Sequence, residues 1–269
     1  MKLQPDSALV VLSGGQDSTT CLGWALFNYK HVECLSFDYG QRHNAELEAA
    51  KDVIRYFETQ HLKPIAHEIV QLGRNTFDGT SPLTNPHEAL ELYRDHNEME
   101  AIIGDRVEKT FVPMRNAVFL TLAANRAVVR NCATIVTGVC QQDNANYPDC
   151  RNEFIQALRS AINLALGLDD DTGLSIKTPL MNLTKAESVH LAVALPHTYE
   201  ALAHSMTAYD GLYPPNGHDH ASILRAHGFE QSGYPDPLVL RAWREGLMRL
   251  PETENYRNDK FAWAIGGVT

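Results

Sequence analysis

The run Ala8-Leu9-Val10-Val11-Leu12, continuing through Ser13-Gly14-Gly15-Gln16-Asp17-Ser18 into Thr19-Thr20-Cys21-Leu22-Gly23-Trp24-Ala25-Leu26-Phe27, sets the frame for the whole chain. Five apolar residues in a row make a strand buried on both faces, and the hexapeptide after them reads as a tight turn opening a helix. Two glycines without Cβ atoms let backbone N–H groups come close to a ligand, and Ser13 and Ser18 add hydroxyl donors. The helix points its positive end at the same spot, so the turn is built for phosphate. The Lys of the G-x-x-x-x-G-K-[ST] pattern is missing, so a γ-phosphate clamp of that type is not offered, and Asp17 fits a magnesium site instead. The plain alternative is an ordinary Gly-Gly turn between strand and helix.

Composition narrows the function classes. A chain of 269 residues with 44% hydrophobic and 21% charged residues can bury one large α/β core, and one domain with a C-terminal appendage is expected. Lys and Arg number 23 against 33 acids, a formal charge of −10, which argues against gripping a nucleic-acid backbone and for a small-molecule substrate. No charged leader with an apolar core opens the chain and no apolar run approaches a membrane span, so no membrane partner and a cytoplasmic location are expected. The five cysteines (Cys21, Cys34, Cys132, Cys140, Cys150) lack C-x-x-C spacing and read as free thiols.

Further along, His31 to Tyr39 reads as a second strand, a helix begins near Ala45, and Ile65 to Val70 reads as a third strand. This βαβα opening predicts a doubly wound parallel α/β sheet, with the loop Tyr39 to Arg42 beside the loop Ser13 to Ser18. Residues 71 to 109 lose periodicity and read as a mobile loop, a lid with one short helix. An alanine-rich helix follows from Ala117 to about Arg130. A fourth strand spans Thr134 to Val139, and its polar exit, Cys140 to Arg151, suits a substrate site. A helix from Asn152 to about Leu166, a short strand near Ser175 to Leu180 and a helix N-capped by Thr184 complete the core. The expected division is 1–196 for the nucleotide-binding α/β domain and 197–269 for a small helical appendage.

S-G-G-x-D-S resembles the PP-loop of the N-type ATP pyrophosphatases, which implies cleavage between the α- and β-phosphates and adenylation of the substrate. Four further motifs follow in order: F-D-Y-G-Q-R-H (Phe37 to His43), F-V-P-x-R-N (Phe111 to Asn116), G-V-C with Y-P-D-C-R (Gly138 to Cys140, Tyr147 to Arg151), and T-P-L-M-x-L-x-K-A-E (Thr178 to Glu187). Together they resemble the QueC family of 7-cyano-7-deazaguanine synthases over about residues 8 to 240. The resemblance implies that ATP adenylates 7-carboxy-7-deazaguanine, that ammonia displaces AMP to give an amide, and that a second ATP turns the amide into the nitrile. It implies ATP contacts at Ser13, Gly14, Gly15, Gln16, Asp17, Ser18, Tyr39, Gly40, Gln41 and Gly138, with magnesium at Asp17 and a homodimer as the assembly.

An adenylate is a good leaving group whose charge the loop amides, magnesium and a cation can hold, so Asp17, Arg115 and Lys185 are the candidate catalytic residues. For Arg115 and Lys185 the bland alternative is a surface or helix-capping charge. Arg115, Asn116, Tyr147, Asp149 and Arg151 are the candidate substrate contacts, since a carboxylate accepts paired N–H donors and an Arg fork matches a carboxylate. Tyr147 serves equally well as a packing residue.

Two departures from the family pattern stand out. Four cysteines that hold a structural zinc in the family align with Ala208, Asn216, Asp219 and Ser222, so no zinc is expected here. His218, Asp219 and His220 lie too close in sequence to close a tetrahedron and read as a solvated loop. Met114 replaces the family's usual Gly in F-V-P-G-R-N, a thioether expected to fill space beside the nucleotide or base. Three readings stay open: a cyano-synthase, a QueC-like ligase of an antiphage (CBASS-type) system conjugating the deazaguanine to a protein amine, and a non-catalytic nucleotide sensor.

Overall fold

The apolar run becomes strand β1 (Gln4–Val11), in which Ala8, Leu9 and Val10 are wholly buried because helices cover the sheet on both sides. The structure, a computed structural model, describes residues 3–42, 44–61, 63–77, 79, 81–85, 87–141 and 146–257. His43 of the Phe37 to His43 motif, residues 142–145 of the polar exit and the last stretch of the tail lie outside the described residues.

Four more strands join β1, all in parallel: β2 (His31–Asp38), β3 (His67–Gln71), β4 (Cys132–Val136) and β5 (Ser175–Lys177), in the order β3-β2-β1-β4-β5. The chain starts in the middle and moves to one edge through α1 (Gln16–Asn28) and α2 (Ala45–His61). It then returns to the other side of β1 through α4 (Arg115–Val129) and α5 (Asn152–Leu166), with α3 (His96–Ile103) on the way. Alternation along β1 splits the core. Ala8, Val10 and Leu12 face Leu22, Ala25, Val53 and Phe57 of α1 and α2, while Leu9 faces Leu120, Ala124, Ala127 and Ile155 of α4 and α5. The doubly wound α/β sheet is therefore present, and the winding reverses between β1 and β4, where such sheets open a crevice beyond the strands' carboxyl ends.

The expected elements fall within a few residues of the observed ones, with physical reasons for the shifts. α4 starts two residues before Ala117 because Met114 takes the left-handed conformation (φ 64°) that turns the chain into the helix. β4 ends at Val136 because Gly138 must press against the first turn of α1, where an added Cβ would lie 3.0 Å from the Asp17 carbonyl carbon. Between 71 and 109 the chain makes a 3-10 turn (Arg74–Phe77) and then α3, whose N-cap Asp95 accepts the Glu98 N–H at 2.9 Å. All five cysteines are buried free thiols. Among the described residues no helix is long and apolar enough to cross a membrane.

The last part of the chain packs back on this core through α6 (Lys185–Ala194), α7 (Thr198–Ala201), α8 (His220–Ser232), α9 (Pro237–Arg244) and α10 (Glu254–Arg257). The Met206 N–H donates to the Gly14 carbonyl at 2.8 Å, which ties the segment after α7 to the turn after β1. Arg225 of α8 knots the region together. Its guanidinium donates to both Asp236 oxygens at 2.6 and 2.8 Å, to the Ser205 and Thr207 hydroxyls at 2.8 and 2.9 Å, and to the Leu202 carbonyl at 3.1 Å. Removing one member of a buried pair strands the other charge. Arg225→Ala is expected to lower unfolding stability by about 3–5 kcal/mol, read as a shifted urea midpoint.

Candidate active site

The turn Ser13 to Ser18 is cross-braced by its own hydroxyls. The Ser13 N–H donates to Ser18 Oγ at 3.2 Å, Ser18 Oγ donates to the Gly15 carbonyl at 3.2 Å, and the Gly15 N–H donates to Ser13 Oγ at 3.3 Å. Gly14 (φ +91°) is pressed into α2, where a Cβ would sit 2.2 Å from the Glu46 carbonyl oxygen and 2.7 Å from the Ala50 nitrogen. Only glycine fits that conformation in that space. Gly15 caps α1 without any side-chain hydrogen bond, so the first-turn N–H groups of α1 face the crevice with the helix dipole behind them.

Asp17 and Lys185 meet at the same place, the ammonium donating to the two carboxylate oxygens at 3.0 and 2.9 Å. Lys185 arrives there because it opens α6 behind a capping box: the Glu187 N–H donates to Thr184 Oγ1 at 3.2 Å, and the Thr184 N–H donates to Glu187 Oε2 at 2.8 Å. Gly228 of α8 lets the lysine stem pass, since a Cβ there would lie 2.3 Å from Lys185 Cγ. His220, the first residue of α8, lines the same space. Burial, with the Lys185 and His96 charges adding to it, pushes its imidazole down to about 4.

The opposite wall is aromatic and cationic. Burial opposes charge on Arg115, yet the Tyr39, Tyr147 and Tyr209 hydroxyls around it leave the guanidinium held above its ordinary value. Asp149 supplies the cap that Met114 cannot, accepting the Asn116 N–H at 3.2 Å, and Asn116 Nδ2 donates to Cys150 Sγ at 3.3 Å. The Tyr147 hydroxyl bonds Thr110 Oγ1 and donates to Glu108 Oε2 at 3.3 Å. Glu46, in the first turn of α2, is a carboxylic acid lifted to about 7, because burial outweighs the attraction of Arg115.

These walls enclose a cavity of about 310 Å³, at the small end of the range for ligand sites. Of the residues singled out from the sequence, Ser13, Gly15, Gln16, Asp17, Ser18, Tyr39, Gln41, Arg115, Asn116, Gly138, Tyr147 and Lys185 line it together. Gly14 lies behind the turn against α2, and Gly40 (φ 75°) turns the chain after β2. Asp149 is buried beneath the cavity wall at the start of α4, and Arg151 is exposed at the N-cap of α5; neither lines the cavity.

Two expectations need correction. Met114 is 64% exposed and does not fill space in the cavity, its side chain being turned outward by the left-handed backbone. His218 is exposed, but Asp219 and His220 are not part of a solvated loop: Asp219 is buried as the N-cap of α8, accepting the Ser222 N–H and hydroxyl at 3.0 and 2.7 Å, and His220 is buried beside it. Sequence reasoning missed Glu46, Tyr209 and His220. Glu46 reads as one more acidic residue in a helix's first turn, and the other two follow no periodicity.

A sequence-family model described as "Queuosine biosynthesis protein QueC" matches residues 7–233. A protein named 7-cyano-7-deazaguanine synthase from Laribacter hongkongensis is 44% identical over 237 residues, covering 88% of this chain and 96% of that protein. Proteins of the same name from Chromobacterium violaceum and Gloeobacter violaceus are 43% and 45% identical, covering 89% and 86% of this chain and 96% and 94% of theirs.

The state of Glu46 has a measurable consequence. A carboxyl whose folded value lies near 7, above the ordinary 4.5, stabilises the fold fully only below the ordinary value, and that contribution is lost as pH rises through 7. Glu46→Gln is expected to be more stable than the parent chain at pH 8 by about 3 kcal/mol, with the gap closing toward pH 5. Thermal unfolding across that pH range checks it.

Proposed function

The chain belongs to the QueC family, and from that premise we propose that it uses ATP to adenylate the carboxylate of 7-carboxy-7-deazaguanine and couples the product to ammonia. The amide forms first, and a second ATP then yields 7-cyano-7-deazaguanine. The observation that carries this reading is the uncapped, hydroxyl-braced first turn of α1 facing one cavity with the Asp17 and Lys185 pair and with Arg115.

In the first step a substrate carboxylate oxygen forms a bond to the α-phosphorus of ATP, and the bond to the bridging oxygen breaks so that pyrophosphate leaves with the electron pair. The N–H groups at the head of α1 and the Ser13 hydroxyl are the donors for the charge that develops on the phosphates. Lys185, held 2.9 Å from Asp17, is a cation that a phosphate can share. Arg115 and the phenols around it form the compartment for the acidic heterocycle, the guanidinium matching its carboxylate. In the second step ammonia bonds to the acyl carbon and AMP departs.

Magnesium fits as a partner of ATP: the Asp17 carboxylate is a hard oxygen donor on the cavity wall, and such an ion supplies charge neutralisation on the phosphates. Zinc does not fit the positions its family ligands occupy. Ala208 carries no donor, the Asn216 amide bonds Asp210, and the Asp219 carboxylate is already spent on Ser222.

Three outcomes are expected. Incubation with ATP, magnesium and 7-carboxy-7-deazaguanine yields AMP and pyrophosphate, and added ammonia yields amide and then nitrile by mass spectrometry. A mass increment on a partner protein in place of nitrile would favour the protein-amine ligase, and no AMP under any condition would leave only a nucleotide sensor. Asp17→Asn is expected to cut pyrophosphate release roughly 10²–10³-fold while its circular dichroism stays that of the parent chain. Elemental analysis after dialysis against a weak chelator is expected to find no stoichiometric zinc, and about one zinc per chain would refute this.

A further inference from the structure

Glu46 stands on the cavity wall, and the phosphate chemistry makes no use of it. Its main chain is packed against the turn after β1 through the contact with Gly14, so the side chain has a fixed root beside that turn. Arg115 from α4 faces it, Tyr39 from the end of β2 and Tyr209 from the segment before α8 lie in its field, and Arg42, Asp17, Lys185 and His220 line the same cavity. Among the described residues no donor is hydrogen-bonded to its carboxylate. Keeping a carboxyl group partly out of water beside one cation costs stability, and such costs concentrate where a protein handles protons.

Displacement of AMP by ammonia requires a proton acceptor. As the nitrogen lone pair bonds to the acyl carbon, the nitrogen becomes positively charged and must shed a proton before the amide is formed. The other groups on the wall are poorly suited to take it. Asp17 is engaged at both oxygens by Lys185. His220 is held down near 4, a weak base. Burial raises Tyr39, Tyr147 and Tyr209 and lifts the Cys150 thiol to about 12, so they stay protonated. Glu46 titrates near neutrality, where a general base is most effective.

We propose that Glu46 is the general base of the amide-forming step, a role that rests on the adenylate chemistry of the proposed function. The carbon–nitrogen bond forms, Glu46 accepts one proton from the nitrogen, and the bond from the acyl carbon to the AMP oxygen breaks with the electron pair leaving on AMP. Glu46 then returns the proton to water.

The test separates the two half-reactions in the full-length protein. ATP–pyrophosphate exchange dependent on 7-carboxy-7-deazaguanine reads adenylation, and amide formation from ammonium chloride reads aminolysis. Glu46→Gln is expected to keep exchange within about threefold of the parent chain while amide formation falls roughly 10²–10³-fold. At a fixed concentration of free ammonia, the parent's amide rate should rise with pH through about 7 and level off, a step that Glu46→Gln lacks, and Glu46→Asp should regain part of the rate. Hydroxylamine, whose nitrogen sheds its proton to water far more readily, should be used by Glu46→Gln nearly as well as by the parent. Exchange falling in parallel with amide formation, with a raised KM for the deazaguanine, would overturn the proposal in favour of a residue that binds the base. Amide formation within about threefold of the parent would also overturn it. No exchange by the parent chain would instead sink the adenylate reading on which the proposal stands.

Discussion

The orphan N–H groups of one helix turn govern this molecule. α1 starts at a glycine with no side-chain cap, at the point where the winding of the sheet reverses, so its first-turn donors have only the crevice to face. For that turn to stay open and yet be rigid, Ser13 and Ser18 brace it from within and Gly14 is driven into α2. Gly138 brings β4 against the same turn from the other side. A side chain at either glycine would push the turn out of its place, so the sheet's packing and the site's geometry are one constraint.

The C-terminal elements belong to the same constraint. α6 carries Lys185 to Asp17, and α8 can lie close enough to support it only because Gly228 leaves room for the lysine stem. Arg225 then fixes α8 to the segment that follows α7, and Met206 within that segment bonds the Gly14 carbonyl. The hydrogen-bonded cap at Asp219 and Ser222 holds the start of α8 and gives the buried carboxylate its partners. Residues remote in sequence thus reach the phosphate turn through short, buried polar links.

Much of this was legible in the chain. The apolar run at Ala8 to Leu12, the glycine pair and the capping signature at Thr184 to Glu187 are local patterns with local causes, and each of these elements formed where its pattern lies. Long-range geometry was not legible. Met114 sits inside a motif rich in site residues, yet a left-handed backbone turns it to solvent, and no one-dimensional pattern records that angle. His220 looked like part of a polar loop because its neighbours His218 and Asp219 are polar, whereas Asp219 is spent inward as a helix cap and draws His220 under cover. Glu46 was hidden by its ordinary context, since the feature that marks it is burial against Arg115, far along the chain on another helix.

The two carboxylates on the cavity wall stand in different surroundings. Asp17 accepts from one lysine through both oxygens at 2.9 and 3.0 Å, so it is already paired with a cation. Glu46 has burial against it and a single arginine for it, so its charge comes and goes near neutral pH. Both line one cavity of about 310 Å³, Asp17 paired with Lys185 at the head of α1 and Glu46 facing Arg115. Under the proposed chemistry, phosphate handling and proton removal fall to different side chains, because Asp17 already accepts from Lys185 through both oxygens whereas Glu46 faces a single cation.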